Sequence, residues 1–584
     1  MSFASSPLRA EASSTAGTYA NRRAFAVLLL VVGLAVFSAL AAYQLDLPGL
    51  HYDEAKEAGV NAMQLLTGRP VTAFRDATVA LGPWHVPLMV QDYIGNLNVL
   101  LALPFLAVGG FTPVALRALP LALALITLVF TWMLAARLSG PLAAGVAVLL
   151  LAVNPSFVFW SRQGIFVTNI AALLFMAALW YGLAWWKERR LKHLIAAAFI
   201  CGLGVYAKLL FVWALFAMVG VAAGAHLVAL WRGRSEKASP AARPGPGPGG
   251  AFLALVGFVI PLVPLIAFNL QTGGTLTSIF GNLGQSYYGV DNSAYGPNLG
   301  VRFGQVVTLL RGSHFWYLGE TYANQWAPLL FIVLVLLAAF AWWRQPRREP
   351  FWPLLPLALL ALIVLQSAFT VSDLFITHFA LALPLIPLTA GLAAAVLWQR
   401  FAGEPKDDGK RSEERDTSSF HRPPVMAVGV AGILLVLIWI GTDAGTTIRY
   451  HRILAVSGGY AAHSDAIYDL ANYLDSESFT APVALDWGID APVQFLTAGR
   501  VNPIDVFGYA RIDAPDPGFI ERVEPYLQDW QTIYVAHAPE NAVFKGRLEA
   551  MTAWAAERGW RWFEQIRFGQ RSGDAVYIIY RFME

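Results

Sequence analysis

Long apolar runs separated by short polar interruptions dominate the chain from residue 24 to residue 442. A bilayer span takes about 20 consecutive apolar residues. On that measure the pattern predicts about eleven crossing helices, over 24–46, 114–136, 141–159, 166–186, 193–207, 209–230, 251–269, 326–343, 351–370, 378–398 and 425–442. The run from His193 to Trp231 would measure about 58 Å as a single helix at 1.5 Å per residue, too long for one crossing, so it is divided at Lys208. The run 97–112 is short and interrupted by Pro104 and Gly109-Gly110. It reads as an interfacial or re-entrant segment rather than a crossing.

Three soluble pieces lie between and after these runs, the loops 47–113 and 270–325 and the tail 443–584, and an N-terminal segment 1–23 precedes them. The tail alternates two periodicities. His463–Leu474 and Leu548–Gly559 have helical spacing, whereas Pro482–Leu485, Thr532–Ala536 and Ala575–Arg581 read as strands, which predicts a small α/β domain. The linkers 242–250, rich in Pro and Gly, and 404–416, of mixed charge, read as flexible. No internal or inverted repeat is visible.

Basic residues gather in alternate connections, at Arg22-Arg23, Arg137, Lys187–Lys192, Arg232–Arg243, Arg344–Arg348 and Arg400–Arg422. By the positive-inside rule these connections and the N-terminus are cytoplasmic, and both long loops and the tail are external, in a multi-pass plasma-membrane protein. The first run, with Ala39-Leu40-Ala41, exceeds the usual signal-peptide core of about 7–15 residues and reads as an anchor.

Composition narrows the class further. Hydrophobic residues make up 57% of the 584 and charged residues 14%, against roughly 25% charged in soluble domains. A string of soluble domains and extensive disorder are both excluded. The net charge of +3 gives no reason to expect nucleic acid. The single Cys201 rules out an intramolecular disulfide and a Cys-based zinc site.

Candidate chemistry lies on the outer side. His51-Tyr52-Asp53-Glu54 follows the first run directly, and two adjacent acids beside a bilayer are costly to desolvate. Two readings stand. Either one carboxylate is a general base while the other orients substrate or binds a cation, or Asp53 simply caps the helix that follows. In the second loop Tyr287, Tyr288, Asp291, Asn292, Tyr295 and Asn298 either shape a sugar site or are solvated turn residues. Asp486 and Asp490, flanking Trp487-Gly488, read as turn residues at a strand end. The tail has no Gly-rich phosphate loop after a strand, which argues against a nucleotide-sugar site there.

A long first external loop opening with Asp53-Glu54 resembles the GT-C superfamily of polyprenyl-phosphate-sugar glycosyltransferases. The family 39-like members are most similar, together with bacterial relatives of protein O-mannosyltransferases and lipid A aminoarabinose transferases. Trp84-His85-Val86-Pro87-Leu88, Asp92–Leu97, Leu103-Pro104-Phe105 and Leu116-Arg117 resemble that group's juxtamembrane stretch. Asn154-Pro155 with Phe159–Gln163 resembles its second external loop, Gly202–Lys208 its Gly-to-Lys step, and His378-Phe379 with Pro384 and Pro387 its late helix. The likeness spans about residues 20–400 and implies a GT-C-like membrane domain over 24–442.

The resemblance implies an inverting glycosyl transfer from an undecaprenyl- or dolichyl-type phosphate sugar to a glycan, lipid or protein acceptor. Asp53 would be the base, with Glu54 beside it. Arg162, Lys208 and His378 would meet the donor phosphate, and His85, Tyr93, Tyr287 and Tyr288 the substrate. Several relatives hold a divalent metal with acids in the second external loop, but Gln163–Asn169 has no carboxylate here. No cofactor or metal is therefore predicted. Glu54, His51 and His85 are left as potential cation ligands, and interfacial hydrogen bonding is the simpler reading of the two histidines. The competing classes are a membrane transporter and a non-catalytic scaffold with a partner-binding tail.

Overall fold

The computed structural model describes residues 7–233, 245–285, 289–344, 350–370, 375–401, 423–527 and 531–583. Tyr287 and Tyr288 lie outside this set, as do residues 242–244 of the first linker and the whole 404–416 linker. Among the described residues seven helices are long and apolar enough to cross a membrane: Ala24–Ala42, Pro113–Ser139, Ile170–Glu188, Leu209–Val228, Gly247–Thr272, Ala327–Arg344 and Gly429–Ser457. Two bent pairs, Pro141–Val153 with Pro155–Arg162 and Ile376–Ala382 with Leu385–Gln399, pass the same test together. Leu191–Ala207 and Leu354–Ser367 are shorter apolar helices, and the eleven predicted runs each fall on one of these elements. The run 97–112 forms a further short helix, Leu97–Gly109. The chain is a multi-pass helical membrane protein.

Local chemistry explains the breaks. At the 61° bend between Val153 and Pro155, Asn154 accepts a hydrogen bond from the Phe157 amide (3.0 Å) and Pro155 opens the next helix. An Asn cap followed by proline is a preferred helix start. At Lys208 the backbone turns extended, at φ −156° and ψ 125°. The last helix runs on from the predicted end at 442 to Ser457. Its polar extension is held by neighbours: Asn324 donates to Asp443 (2.7 Å), Thr447 to the Val153 carbonyl (2.8 Å) and Tyr450 to the Gly312 carbonyl (2.7 Å).

The first loop folds into a helical stretch, Tyr52–Thr67, whose second turn, Ala55–Gly59, is a π-turn. Two hairpins follow, β1 (Thr78–Leu81) with β2 (Trp84–Pro87), and β3 (Met89–Gln91) with β4 (Ile94–Gly95). The tail carries β5 (Val483–Ala484), β6 (Ile504–Asp505), β7 (Tyr534–His537), β8 (Arg561–Gly569) and β9 (Ala575–Met583). These form one sheet in the order β6-β5-β7-β9-β8. β5 is parallel to β6 and β7, while β9 runs antiparallel to β7 and β8.

All three soluble pieces meet at one end of the helices. Gly49 N–H donates to the His463 carbonyl (2.8 Å) and Tyr460 N–H to the Tyr317 carbonyl (2.9 Å). Thr275 donates to the Asp92 carbonyl (2.6 Å). The sheet domain turns the carboxyl ends of its parallel strands toward the first loop. Trp487, after β5, packs against Tyr52 with the rings tilted by 48° (centroids 4.6 Å apart), and the Tyr509 hydroxyl, after β6, lies 3.3 Å from that of Tyr52. Phe495 seats on Gly59, where a Cβ would come within 2.8 Å of its ring.

Candidate active site

Asp53 and Glu54 are neighbours with opposite environments, because adjacent helical residues point about 100° apart. Glu54 is fully buried. Its Oε2 accepts from Arg117 Nε (2.8 Å), and its Oε1 from Arg117 Nη2 (2.9 Å) and Gln163 Nε2 (2.9 Å). The His51 amide adds a fourth bond (3.3 Å). Arg117, equally buried, also donates to the carbonyls of Leu45 (2.9 Å), Pro48 (2.8 Å) and Gly49 (3.2 Å). Expected beside the base as a reacting group, Glu54 is instead half of a strut tying residues 45–49 to the helix of Arg117. Its lone pairs are taken by donors.

Asp53 has a different setting. The helix cap is His51, whose Nδ1 accepts from the Asp53 amide (3.2 Å), so the capping alternative for the Asp53 side chain falls away. That assignment puts the His51 proton on Nε2, and burial lowers the imidazole's pKa. The Asp53 side chain is 29% exposed. Burial raises its pKa, and His51 and Lys208 oppose that rise.

Lys208 is 5% exposed and near enough to Asp53 and Glu57 for their charges to act on it, without an ion pair to either. Its backbone is pinned from the first loop. Lys208 forms a bridge with Ile94, and the next amide, Leu209 N–H, donates to the Tyr93 carbonyl (2.9 Å). Tyr206 donates to the Leu88 carbonyl (2.9 Å) and bonds Asn96. Gly95 permits this contact, since a Cβ there would lie 2.4 Å from the Tyr206 carbonyl oxygen. His378 is half-buried and close enough to Lys208 to feel its charge. Its Nδ1 sits 3.0 Å from the Phe375 carbonyl.

The remaining predicted residues fall elsewhere. Arg162 is fully buried and directed at the protein rather than at a phosphate. It bonds the carbonyls of Gln44 and Leu47 and meets His451 Nδ1 at 3.0 Å. A chain turning sharply after its first helix leaves carbonyls that need donors, and Arg162 supplies them. His85 lies on exposed β2 opposite Ala80. Tyr93 reaches the site through its backbone carbonyl.

Sequence reading missed Glu57 and Gln91, and met Arg117 only within the Leu116-Arg117 motif, without a role. Arg117 is a lone charge within an apolar run, a signal in its own right. Glu57 follows Asp53 by four residues, the spacing that shares a helix face. Among the described residues no three His, Cys, Asp or Glu side chains come together to hold a metal. Gln163 turns a donor toward Glu54, which does not fit a shared metal site.

The architecture defines an integral-membrane protein with a cluster of buried ionisable groups at the loop-bearing end of its helices. Residues 98–242 match the family described as dolichyl-phosphate-mannose-protein mannosyltransferase. No curated protein matches the chain in sequence. The structure is similar to that of ArnT from Cupriavidus metallidurans bound to undecaprenyl phosphate, at 14% identity and a TM-score of 0.57, covering 95% of this chain and 97% of that one. The apo state of the same protein matches at 13% identity and a TM-score of 0.54, with the same coverage. The fold is therefore that of the GT-C superfamily, as the sequence resemblance implied.

Proposed function

We propose that this chain is a membrane glycosyltransferase that moves a sugar from a polyprenyl-phosphate donor to an acceptor hydroxyl. The observation that carries the proposal is the division of labour between two adjacent acids. Glu54 is saturated by Arg117 and Gln163, while Asp53 keeps an accessible carboxylate beside Lys208. The GT-C fold and the undecaprenyl phosphate bound by the ArnT neighbour support the donor class.

In this reading the acceptor oxygen attacks the anomeric carbon and its proton passes to Asp53. The bond from that carbon to the phosphate oxygen breaks, and the electron pair leaves on the phosphate. Attack opposite the leaving group inverts the centre. The departing phosphate is already anionic, so positive charge serves it better than a proton donor. Lys208 supplies that charge, with His378 beside it. Tyr93 steadies the Lys208 joint through its carbonyl, and exposed His85 on the same loop is placed to meet an incoming acceptor rather than the donor. The sheet domain covers the site through Trp487 and Tyr509, and the loop-bearing end is the external face.

The test is transfer by the purified protein in nanodiscs, supplied with a panel of undecaprenyl- and dolichyl-phosphate sugars and with glycan, lipid and peptide acceptors. Wild type transfers sugar from at least one donor, and Asp53→Asn slows this by about 10²–10⁴-fold, the usual contribution of a general base. Full activity in Asp53→Asn, or no turnover with any donor, refutes the proposal.

A further inference from the structure

One carboxylate in the site has an oxygen with no partner. Glu57 is 2% exposed. Its Oε1 accepts one long bond, from Gln91 Nε2 (3.3 Å), and its Oε2 is buried without any hydrogen bond. Lys208 is near enough for its charge to act on it, without bonding either oxygen. A buried acceptor left unsatisfied costs about 1–3 kcal/mol, more when charged. Such groups recur where a ligand completes the set.

The position says which ligand. Glu57 lies one helical turn beyond Asp53, and the charge of Lys208 acts on both. In the proposed reaction the anomeric carbon lies between the base and the phosphate, so the rest of the sugar ring must extend over neighbouring groups. A pyranose or furanose ring presents hydroxyl donors there, and Gln91 flanks the same carboxylate.

Resting on the proposed glycosyl transfer, we infer that Glu57 is a specificity-determining residue that accepts a hydrogen bond from a ring hydroxyl of the donor sugar. It completes its bonding only when a sugar-bearing lipid is bound. Bare undecaprenyl phosphate, which lacks the hydroxyl, leaves Oε2 as it stands in the free protein. Asp53, Lys208 and Glu57 thus divide the donor between them, into anomeric centre, phosphate and ring.

The test compares wild type with Glu57→Gln, which keeps the shape and removes the charge. The ligands are undecaprenyl phosphate alone, the undecaprenyl-phosphate sugar that wild type uses, and that sugar's monodeoxy analogues. Glu57→Gln is expected to bind undecaprenyl phosphate as wild type does. It should lose roughly five- to tenfold in affinity for the sugar-bearing donor, the difference between a hydrogen bond to a charged acceptor and one to the neutral amide oxygen that remains. One deoxy analogue should bind wild type more weakly by a similar factor while showing no further loss with Glu57→Gln.

Equal losses for bare and sugar-bearing lipid would mean that Glu57 only positions Lys208, and would overturn the inference. So would equal loss for every deoxy analogue, or an unaffected variant. Should the variant fold poorly, the analogue series on wild type alone still decides, because a wild type indifferent to every hydroxyl refutes the idea. Wild type that transfers no sugar from any donor overturns the glycosyltransferase reading and this inference with it. A transferring wild type matched by Glu57→Gln overturns the inference alone.

Discussion

Replacing Glu54 with glutamine strands Arg117, the most heavily bonded cation at the site. The guanidinium has no exposure and keeps its bonds to the carbonyls of Leu45, Pro48 and Gly49. It loses the counter-charge that offsets its desolvation. Breaking a buried pair from one side costs about 3–5 kcal/mol. Arg117→Met should cost at least as much, since it leaves Glu54 buried and three carbonyls without donors, each about 1–3 kcal/mol. The double variant retains only the carbonyl deficit. Its loss should therefore fall short of the summed single losses by more than about 2 kcal/mol, well beyond the ~0.5 kcal/mol expected of independent sites. Unfolding in detergent, followed by tryptophan fluorescence against denaturant, measures all three. Asp53→Asn is the contrast, with stability within about 0.5 kcal/mol of wild type and activity lost. Additive single variants would refute the strut. A Glu54→Gln protein that is stable yet inactive would place Glu54 in the reaction and refute the division of roles between the two acids.

Three further outcomes follow from the same geometry. The base works as a carboxylate and its pKa is raised by burial, so transfer should increase with pH through the Asp53 titration. Lys208 opposes that rise, so Lys208→Met should move the acidic limb of the rate profile to higher pH, and an unmoved limb would separate the two residues. Gly95→Ala would set a methyl 2.4 Å from the Tyr206 carbonyl. Overpacking of this kind costs about 1–3 kcal/mol and should raise KM for the donor by shifting the Lys208 joint; a wild-type melting curve would refute it. His51→Ala removes the cap on the Asp53 amide and the ring stacked 4.2 Å from His463, a loss of about 1 kcal/mol or slightly more in the unfolding assay; no change would mean that the cap is inconsequential.

What the sequence discloses here follows the range of the interactions involved. Spans were legible because the bilayer requires one property over about 20 residues, and the division at Lys208 was legible because a helix through it would be too long. The end of the last helix was not, since residues 443–457 stay helical through partners at Asn324, Val153 and Gly312. In the tail β5, β7 and β9 showed their pattern. β8, an edge strand of mixed character, and β6, two residues long, did not. In the site, Asp53 stood out by chain position, but Glu54 could be told from it only through Arg117, 63 residues away.

Arg162 shows the same limit from the other side. A basic residue at a span's end reads as a phosphate ligand, yet here it bonds the turn after the first helix and His451, 289 residues on. Both buried arginines serve the same short segment, with Arg117 taking the carbonyls of Leu45, Pro48 and Gly49 and Arg162 those of Gln44 and Leu47. That segment leads directly into the His51 cap and Asp53. Two buried guanidiniums thus fix where the helix of Asp53 begins, and a charge that chain position alone would assign to a ligand instead holds one turn of the fold.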